Sequence, residues 1–332
     1  MDEKGISIII CCYNSALKIE LTLQYVFALK VQTETACEVV VINNGSTDGT
    51  SEIALDFCRM SNANGLAFRV IDEMKPGLAS ARERGIQEAK YEVIIFCDDD
   101  NHLPSDYLIV TKEILDQFPN VGLLGGWARP KFSIINRSWL KDFYAAMAVG
   151  PQSSADGYVS SIYGAGMVAK KKVFYAIKER KIQFQLTDRI GTKLTSGGDA
   201  EICAMAEYLG FKIYYSSRLT LLHDIPENRL KKKHYLNADF NTVYPSVYLY
   251  LLKDITSRSG RDARYLFRHF CTRTIKNIFY YCPRILLGSH NFFSFFSFYR
   301  NLQILTWAVL HRKKFYLTYI EIHKNLSLEV NS

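Results

Sequence analysis

Glu92-Val93-Ile94-Ile95-Phe96-Cys97-Asp98-Asp99-Asp100 runs apolar for five residues and then ends in three consecutive carboxylates. An apolar run of this length predicts a strand buried on both faces, as in a parallel sheet covered by helices. Ile6-Ser7-Ile8-Ile9-Ile10, Glu38-Val39-Val40-Val41-Ile42 and Ala67-Phe68-Arg69-Val70-Ile71 predict three more strands. Helical periodicity fills the intervals. Residues 15–30 set Leu17, Leu21, Tyr25 and Ala28 on one face, and residues 51–60 and 78–89 also read as helices. Strands alternating with helices specify an α/β domain with right-handed crossovers. Ligands of such sheets bind at the carboxyl ends of the strands. At those ends stand Cys11-Cys12-Tyr13-Asn14, Asn43-Asn44-Gly45-Ser46 and Asp98-Asp99-Asp100-Asn101.

Composition narrows the class. The 332-residue chain is 48% hydrophobic and 22% charged, which excludes wholesale disorder. Its eight cysteines form no CxxC pair and no Cys/His ligand spacing, and several lie inside apolar runs. That speaks against a disulfide framework or a zinc site and for a reducing cytoplasm. No signal peptide is expected, because the first residues lead straight into a strand. Charge is divided unevenly: residues 229–332 carry 17 Lys and Arg against 5 Asp and Glu, a net +12, while residues 1–228 are −4. The same tail holds 21 of the 44 aromatic residues.

Three adjacent carboxylates repel one another, and a fold tolerates them when a cation or a sugar hydroxyl sits among them. Magnesium and manganese prefer one or two carboxylates plus phosphate oxygens. A solvated acidic turn, or an Asp cap ahead of Pro104, is the plainer alternative; the position directly after a buried strand favours function. Asn43 to Thr50 reads in part as a turn and helix cap. Its amides, at a strand tip, also suit a nucleobase.

Ile6-Ser7-Ile8-Ile9-Ile10-Cys11-Cys12-Tyr13-Asn14, Val41-Ile42-Asn43-Asn44-Gly45-Ser46-Thr47-Asp48-Gly49-Thr50, Gly77-Leu78-Ala79-Ser80-Ala81-Arg82 and Phe96-Cys97-Asp98-Asp99-Asp100-Asn101 resemble, in order and spacing, the successive motifs of family 2 glycosyltransferases. The resemblance covers residues 5–225 and implies an α/β GT-A fold, a nucleotide-sugar donor, Mn2+ or Mg2+, and inversion at the anomeric carbon. It implies donor contacts from Cys11, Tyr13, Asn14, Asn44, Arg82, Asp98 and Asp99, with Tyr13 and Asn44 at base and ribose and Arg82 near the phosphates. Asp100 would hold the metal. The chain departs from the family pattern at Cys11, at Asn43-Asn44 and at Glu83.

Ser196-Gly197-Gly198-Asp199-Ala200-Glu201-Ile202-Cys203 matches the family's Glu-Asp-x-Asp-Leu segment, with Gly198 in place of the first acid. Asp199 then corresponds to the catalytic base, a task that suits a carboxylate able to take a hydroxyl proton. A helix cap is its plainer role. His223, after the apolar Leu219-Thr220-Leu221-Leu222, matches a histidine that commonly completes the metal or diphosphate site in this family. No Gln-x-x-Arg-Trp is present, which argues against a processive synthase. A nucleotidyltransferase, which would show a Gly-rich basic loop after the first strand, and a non-catalytic sugar-nucleotide-binding protein are the rival readings.

Residues 1–228 are therefore expected to form the catalytic domain and residues 229–332 a basic, aromatic helical tail. The uncharged stretches after Arg284 and Arg300 span 15 and 11 residues, too short to cross a bilayer. A wheel over residues 261–282 groups Phe267, Phe270, Cys271, Thr274, Ile278, Tyr281 and Cys282 on one side, which suits a helix lying in the membrane interface. Phe292, Phe293, Phe295, Phe296, Phe298 and Trp307 are expected at the acyl boundary. The expected setting is the cytoplasmic membrane face, with a glycan or lipid-linked acceptor in a bacterial surface-polysaccharide pathway and no nucleic acid. Packing of the aromatics on the catalytic part or on a second subunit is the alternative.

Overall fold

The computed structural model describes residues 3–61, 66–131, 138–188, 196–236, 243–286 and 292–327. β1 (Glu3–Cys12), β2 (Cys37–Asn43), β3 (Ala67–Asp72) and β4 (Tyr91–Asp98) form the parallel half of the sheet. Register sets Ile8 between Val39 and Ile95, all three buried. Both faces of these central strands are covered, so β-branched side chains fill them end to end. β3 lies at the sheet edge and is only half-buried.

Between these strands run α1 (Ile19–Phe27), α2 (Thr50–Met60) and α3 (Leu78–Glu88). α1 is shorter than the predicted helix and turns a different face inward. Ile19, Thr22, Leu23, Val26 and Phe27 are buried, while Leu17 is fully exposed and Leu21 and Tyr25 are half-buried. Residues 15–18 form a turn instead, with the Lys18 and Ile19 amides both donating to the Ser15 carbonyl.

The chain continues through β5 (Asn101–His102), α4 (Tyr107–Gln117), β6 (Val121–Pro130), β7 (Gly157–Tyr158), β8 (Val168–Lys170), α5 (Lys171–Glu179), α6 (Gly198–Tyr208) and β9 (Lys212–His223). Among the described residues the sheet has nine strands in the order β3-β2-β1-β4-β8-β6-β9-β5, with β7 also on β9. β8 runs antiparallel to both β4 and β6, which makes the sheet mixed. β9 runs unbroken through the polar Ser216-Ser217-Arg218. Its polar middle is carried by Asp156, which accepts from the Ser216 hydroxyl (2.6 Å) and the Ser217 amide (2.7 Å).

Two compact units are present: Met1–Phe132 with Ala148–Glu179 and Phe184–Ile225, and Ser133–Met147 with Arg180–Gln183 and Pro226–Ser332. The second is helical, with α7 (Lys232–Leu236), α8 (Val243–Thr256), α9 (Ala263–Leu286), α10 (Phe292–Leu310) and α11 (Arg312–Ser327). Much of its aromatic content is its own core. Phe270 and Thr274, from the face assigned to lipid, are buried, and Phe267 meets Phe315 edge-on at 5.2 Å. Phe292, Phe293 and Phe296 pack on Phe143, and Trp307 is buried and stacked on His311. Of the residues expected at the acyl boundary, Phe295 is the exposed one. A helical unit must bury apolar surface in itself before it can present any to a partner. Among the described residues, no helix is long and apolar enough to cross a membrane.

Candidate active site

The ends of β1, β2 and β4 are tied together by the loops that follow them. Asn14, at φ +50°, donates its amide to the Ser46 hydroxyl (3.0 Å) and accepts from the Thr47 amide (2.9 Å) through Oδ1. Asp48 accepts from the Ala16 amide at 3.0 Å and from Thr50, which hold its carboxyl below the ordinary range although burial alone would raise it. Tyr13 stands beside this clamp, half-exposed. Asn44 turns inward: it donates to the carbonyls of Glu73 (3.0 Å) and Lys75 (2.8 Å) and accepts from the Gly77 amide (2.8 Å). Its amide thus shapes the loop of residues 73–77.

The three carboxylates after β4 point to three different neighbours. Asp98, opposite Cys11 in register, lies 3.6 Å from Arg82 Nη2. Asp99 accepts from the Ser15 hydroxyl and lies 3.4 Å from Lys18 Nζ; burial and the charge of Asp100 push its carboxyl up to about 6. Asp100 is buried, with Oδ1 3.3 Å from His223 Nε2. That pair exists because β5 lies antiparallel on the end of β9, with Asn101 opposite His223. Burial would lower the His223 pKa, yet its hydrogen bond to Asp100 and the charges of Asp100 and Asp98 raise it.

Among the described residues, no group of three or more His, Cys, Asp and Glu forms a metal cage. The protein offers one carboxylate and one imidazole in contact. Such a donor set fits a magnesium or manganese ion that draws its other ligands from diphosphate oxygens and water.

Arg82 is buried rather than presented to solvent, and its guanidinium lies between Asp98 and Asp188, with Nη1 3.5 Å from Asp188 Oδ2. Burial opposes its charge, but Asp98, Asp188, Cys11 and Asp199 together raise its pKa. Gly164 allows this placement, since a Cβ there would meet Arg82 Nη2 at 2.7 Å. The Gly164 amide in turn donates to Asp199 Oδ2 at 3.0 Å. Asp199 sits in the first turn of α6, half-buried. Cys11 is buried beside Arg82; burial pushes its thiol up to about 12, so it lines the site as a small neutral group.

Asp188 and Ser15 are site residues that the sequence motifs do not mark. Ser15 carried a local signal, a hydroxyl just ahead of a helix. Asp188 had none.

The profile of the family described as Glycosyl transferase family 2 matches residues 7–193, more than half of the chain. The chain belongs to glycosyl transferase family 2. A curated relative, the poly-beta-1,6-N-acetyl-D-glucosamine synthase of Staphylococcus epidermidis, is 29% identical over 172 residues, 51% of this chain and 40% of that protein. The chain thus spans less than half the length of that relative. Among solved structures, the mannosyltransferase PcManGT of Pyrobaculum calidifontis, in complex with GDP-Man and Mn2+, superposes with a TM-score of 0.55 at 16% identity. The match covers 97% of this chain and 85% of that one. Staphylococcus aureus TarS 1-349 with UDP-GlcNAc gives a TM-score of 0.52 at 17% identity, covering 96% and 90%. These likenesses carry the GT-A-like fold of a mixed sheet flanked by helices.

Proposed function

We propose that this enzyme is a metal-dependent, inverting transferase that moves a sugar from a UDP-linked donor to a hydroxyl of a glycan or lipid-linked acceptor in bacterial surface-polysaccharide synthesis. The observation that carries the reading is the chain of contacts Asp98–Arg82–Gly164–Asp199 beside the Asp100–His223 pair. These contacts support reading Asp199 as the base and Asp100 with His223 as the metal ligands. The UDP-GlcNAc and the GDP-Man with Mn2+ of the two structural neighbours support a nucleotide-sugar donor and a divalent ion.

Asp100 and His223 would hold the ion, which when bound neutralises charge on the departing diphosphate. Tyr13 offers an open aromatic face to the base, while Asn14 and Asn44 hold the two loops that border it. Asp98 keeps an exposed edge for a ribose or sugar hydroxyl, with its other side against Arg82. Asp199 takes the acceptor hydroxyl's proton as that oxygen attacks the anomeric carbon from the face opposite the diphosphate. A single displacement of this kind inverts the anomeric configuration.

Charge favours a peripheral membrane setting. Between Asp262 and Glu321 there is no acidic residue and there are nine Lys or Arg. The exposed apolar residues Phe279, Phe295, Val309 and Leu310 lie in this stretch. Exposed apolar side chains on a stretch of chain whose charges are all positive complement anionic lipid.

The test is metal-dependent release of nucleoside diphosphate from a panel of UDP-GlcNAc, UDP-glucose, UDP-galactose and GDP-mannose, with the anomeric configuration of the product read by NMR. A β-linked product from an α-linked donor, lost on chelation, supports the reading. Retention of configuration, or full activity in chelator, overturns it.

A further inference from the structure

Asp188 is buried and holds φ +52°, a left-handed conformation that favours glycine and that Asp tolerates better than most residues. Its carboxylate meets both Gly198 and Arg82. Oδ1 accepts the Gly198 amide at 2.8 Å, at the start of α6, and Oδ2 lies 3.5 Å from Arg82 Nη1. The fit at Gly198 is close: a Cβ there would collide with Asp188 Oδ2 and lie 2.8 Å from its Cγ. Gly198 has no left-handed backbone to explain its glycine, since it is absent from the positive-φ glycines. The space that a side chain at 198 would need is filled by a carboxylate from ten residues upstream. The segment leading to Asp188 is itself fixed to α6, because buried Glu201 accepts the amides of Gln185 (2.8 Å) and Leu186 (2.9 Å).

We propose that Asp188 is a positioning residue: it supplies from the preceding segment the carboxylate that α6 lacks at Gly198, and by holding both the Gly198 amide and Arg82 it sets Asp199 against the donor side of the site. The inference rests on the roles given above to Asp199 and Arg82. It gives a reason for the glycine at 198, because a second carboxylate there would displace the first.

A substitution cycle tests this. Asp188→Gly suits the local backbone and deletes the carboxylate; Gly198→Asp adds one where space is taken. Diphosphate release from the best-used sugar of the panel and the thermal midpoint are measured for both single variants and for the double. Each single change should lower turnover by about tenfold or more, and the double should recover about tenfold over Gly198→Asp, since contacting residues couple strongly. The midpoint should follow the same pattern, and it decides the matter alone should no panel sugar be turned over. Asp188→Asn, whose amide oxygen can still accept from Gly198, should retain more turnover than Asp188→Gly. Effects that simply multiply in the double, or turnover of Asp188→Gly within twofold of the parent, overturn the proposal. Recovery in the double alongside an unimpaired Asp199→Asn would leave Asp188 in place and refute the base instead.

Discussion

Arg82→Met removes the cation that Asp98 and Asp188 share while keeping an unbranched apolar stem. The side chains of Asp98 and Asp188 are 27% and 10% exposed, so the two carboxylates do not lose equally. Asp98 can turn to water, whereas Asp188 is held by the Gly198 amide and cannot. Breaking a buried ion pair by removing one partner costs about 3–5 kcal/mol. With one of the two carboxylates able to rehydrate, the low end applies, about 3 kcal/mol. Loss of the guanidinium over the Phe96 ring, 5.6 Å from its centroid, adds a smaller amount. For a folding unit of this size that corresponds to a fall of roughly 6–12 °C in the thermal midpoint. Adding Asp188→Asn removes the buried charge that has lost Arg82 and should return about 1–2 kcal/mol of it. Thermal unfolding, with hydrogen exchange followed on peptides from β4 and α6, reads both numbers. A loss below about 1 kcal/mol, or a double variant less stable than Arg82→Met, would refute the assignment of Arg82 as a buried shared counterion.

Asp100→Ala should abolish the tightening of UDP binding by Mn2+ in calorimetry, because His223 alone is a poor cation site; unchanged metal dependence would move the site elsewhere. In full-length protein, Phe279→Ser with Phe295→Ser should weaken binding to phosphatidylserine vesicles, and raised salt should weaken the parent as well. Vesicle binding unaffected by both changes would leave the exposed aromatics to a protein partner, and a steep salt slope on RNA would favour nucleic acid. Cys11 should resist iodoacetamide at pH 8 in the folded protein, since its thiol is pushed up to about 12 by burial; rapid labelling detected by mass spectrometry would contradict its buried position.

The parallel half of the sheet was legible because its central strands, buried on both faces, are short near-continuous apolar runs rich in β-branched residues. The phase of α1 was not, because apolar residues at 17, 21, 25 and 28 compete with those at 19, 23, 26 and 27. What decided it was the turn at Ser15, fixed by tertiary contacts to Thr50 and Asp99. The unbroken course of β9 is not legible, since Ser216-Ser217-Arg218 resembles a turn until Asp156 arrives to accept its donors. In the helical unit, composition counted the aromatics but could not separate interior from surface, so Trp307 and Phe292 were assigned outward. Motif order pointed to Asp98, Asp100, Asp199 and His223. Asp188 lies in an irregular stretch with no periodicity or motif, and only the fold brings it to Arg82 and Gly198.

The central claim is that Asp199 does chemistry rather than capping α6, and the Asp199→Asn variant tests it most directly. Asn keeps the size and can still accept the Gly164 amide, which now meets Asp199 Oδ2 at 3.0 Å. Donor affinity, measured by calorimetry with Mn2+, should stay within a few-fold of the parent, while turnover falls by ~10²–10⁴. Donor affinity lost in step with turnover, or turnover retained, would contradict the account and return Asp199 to a purely structural place at the start of its helix.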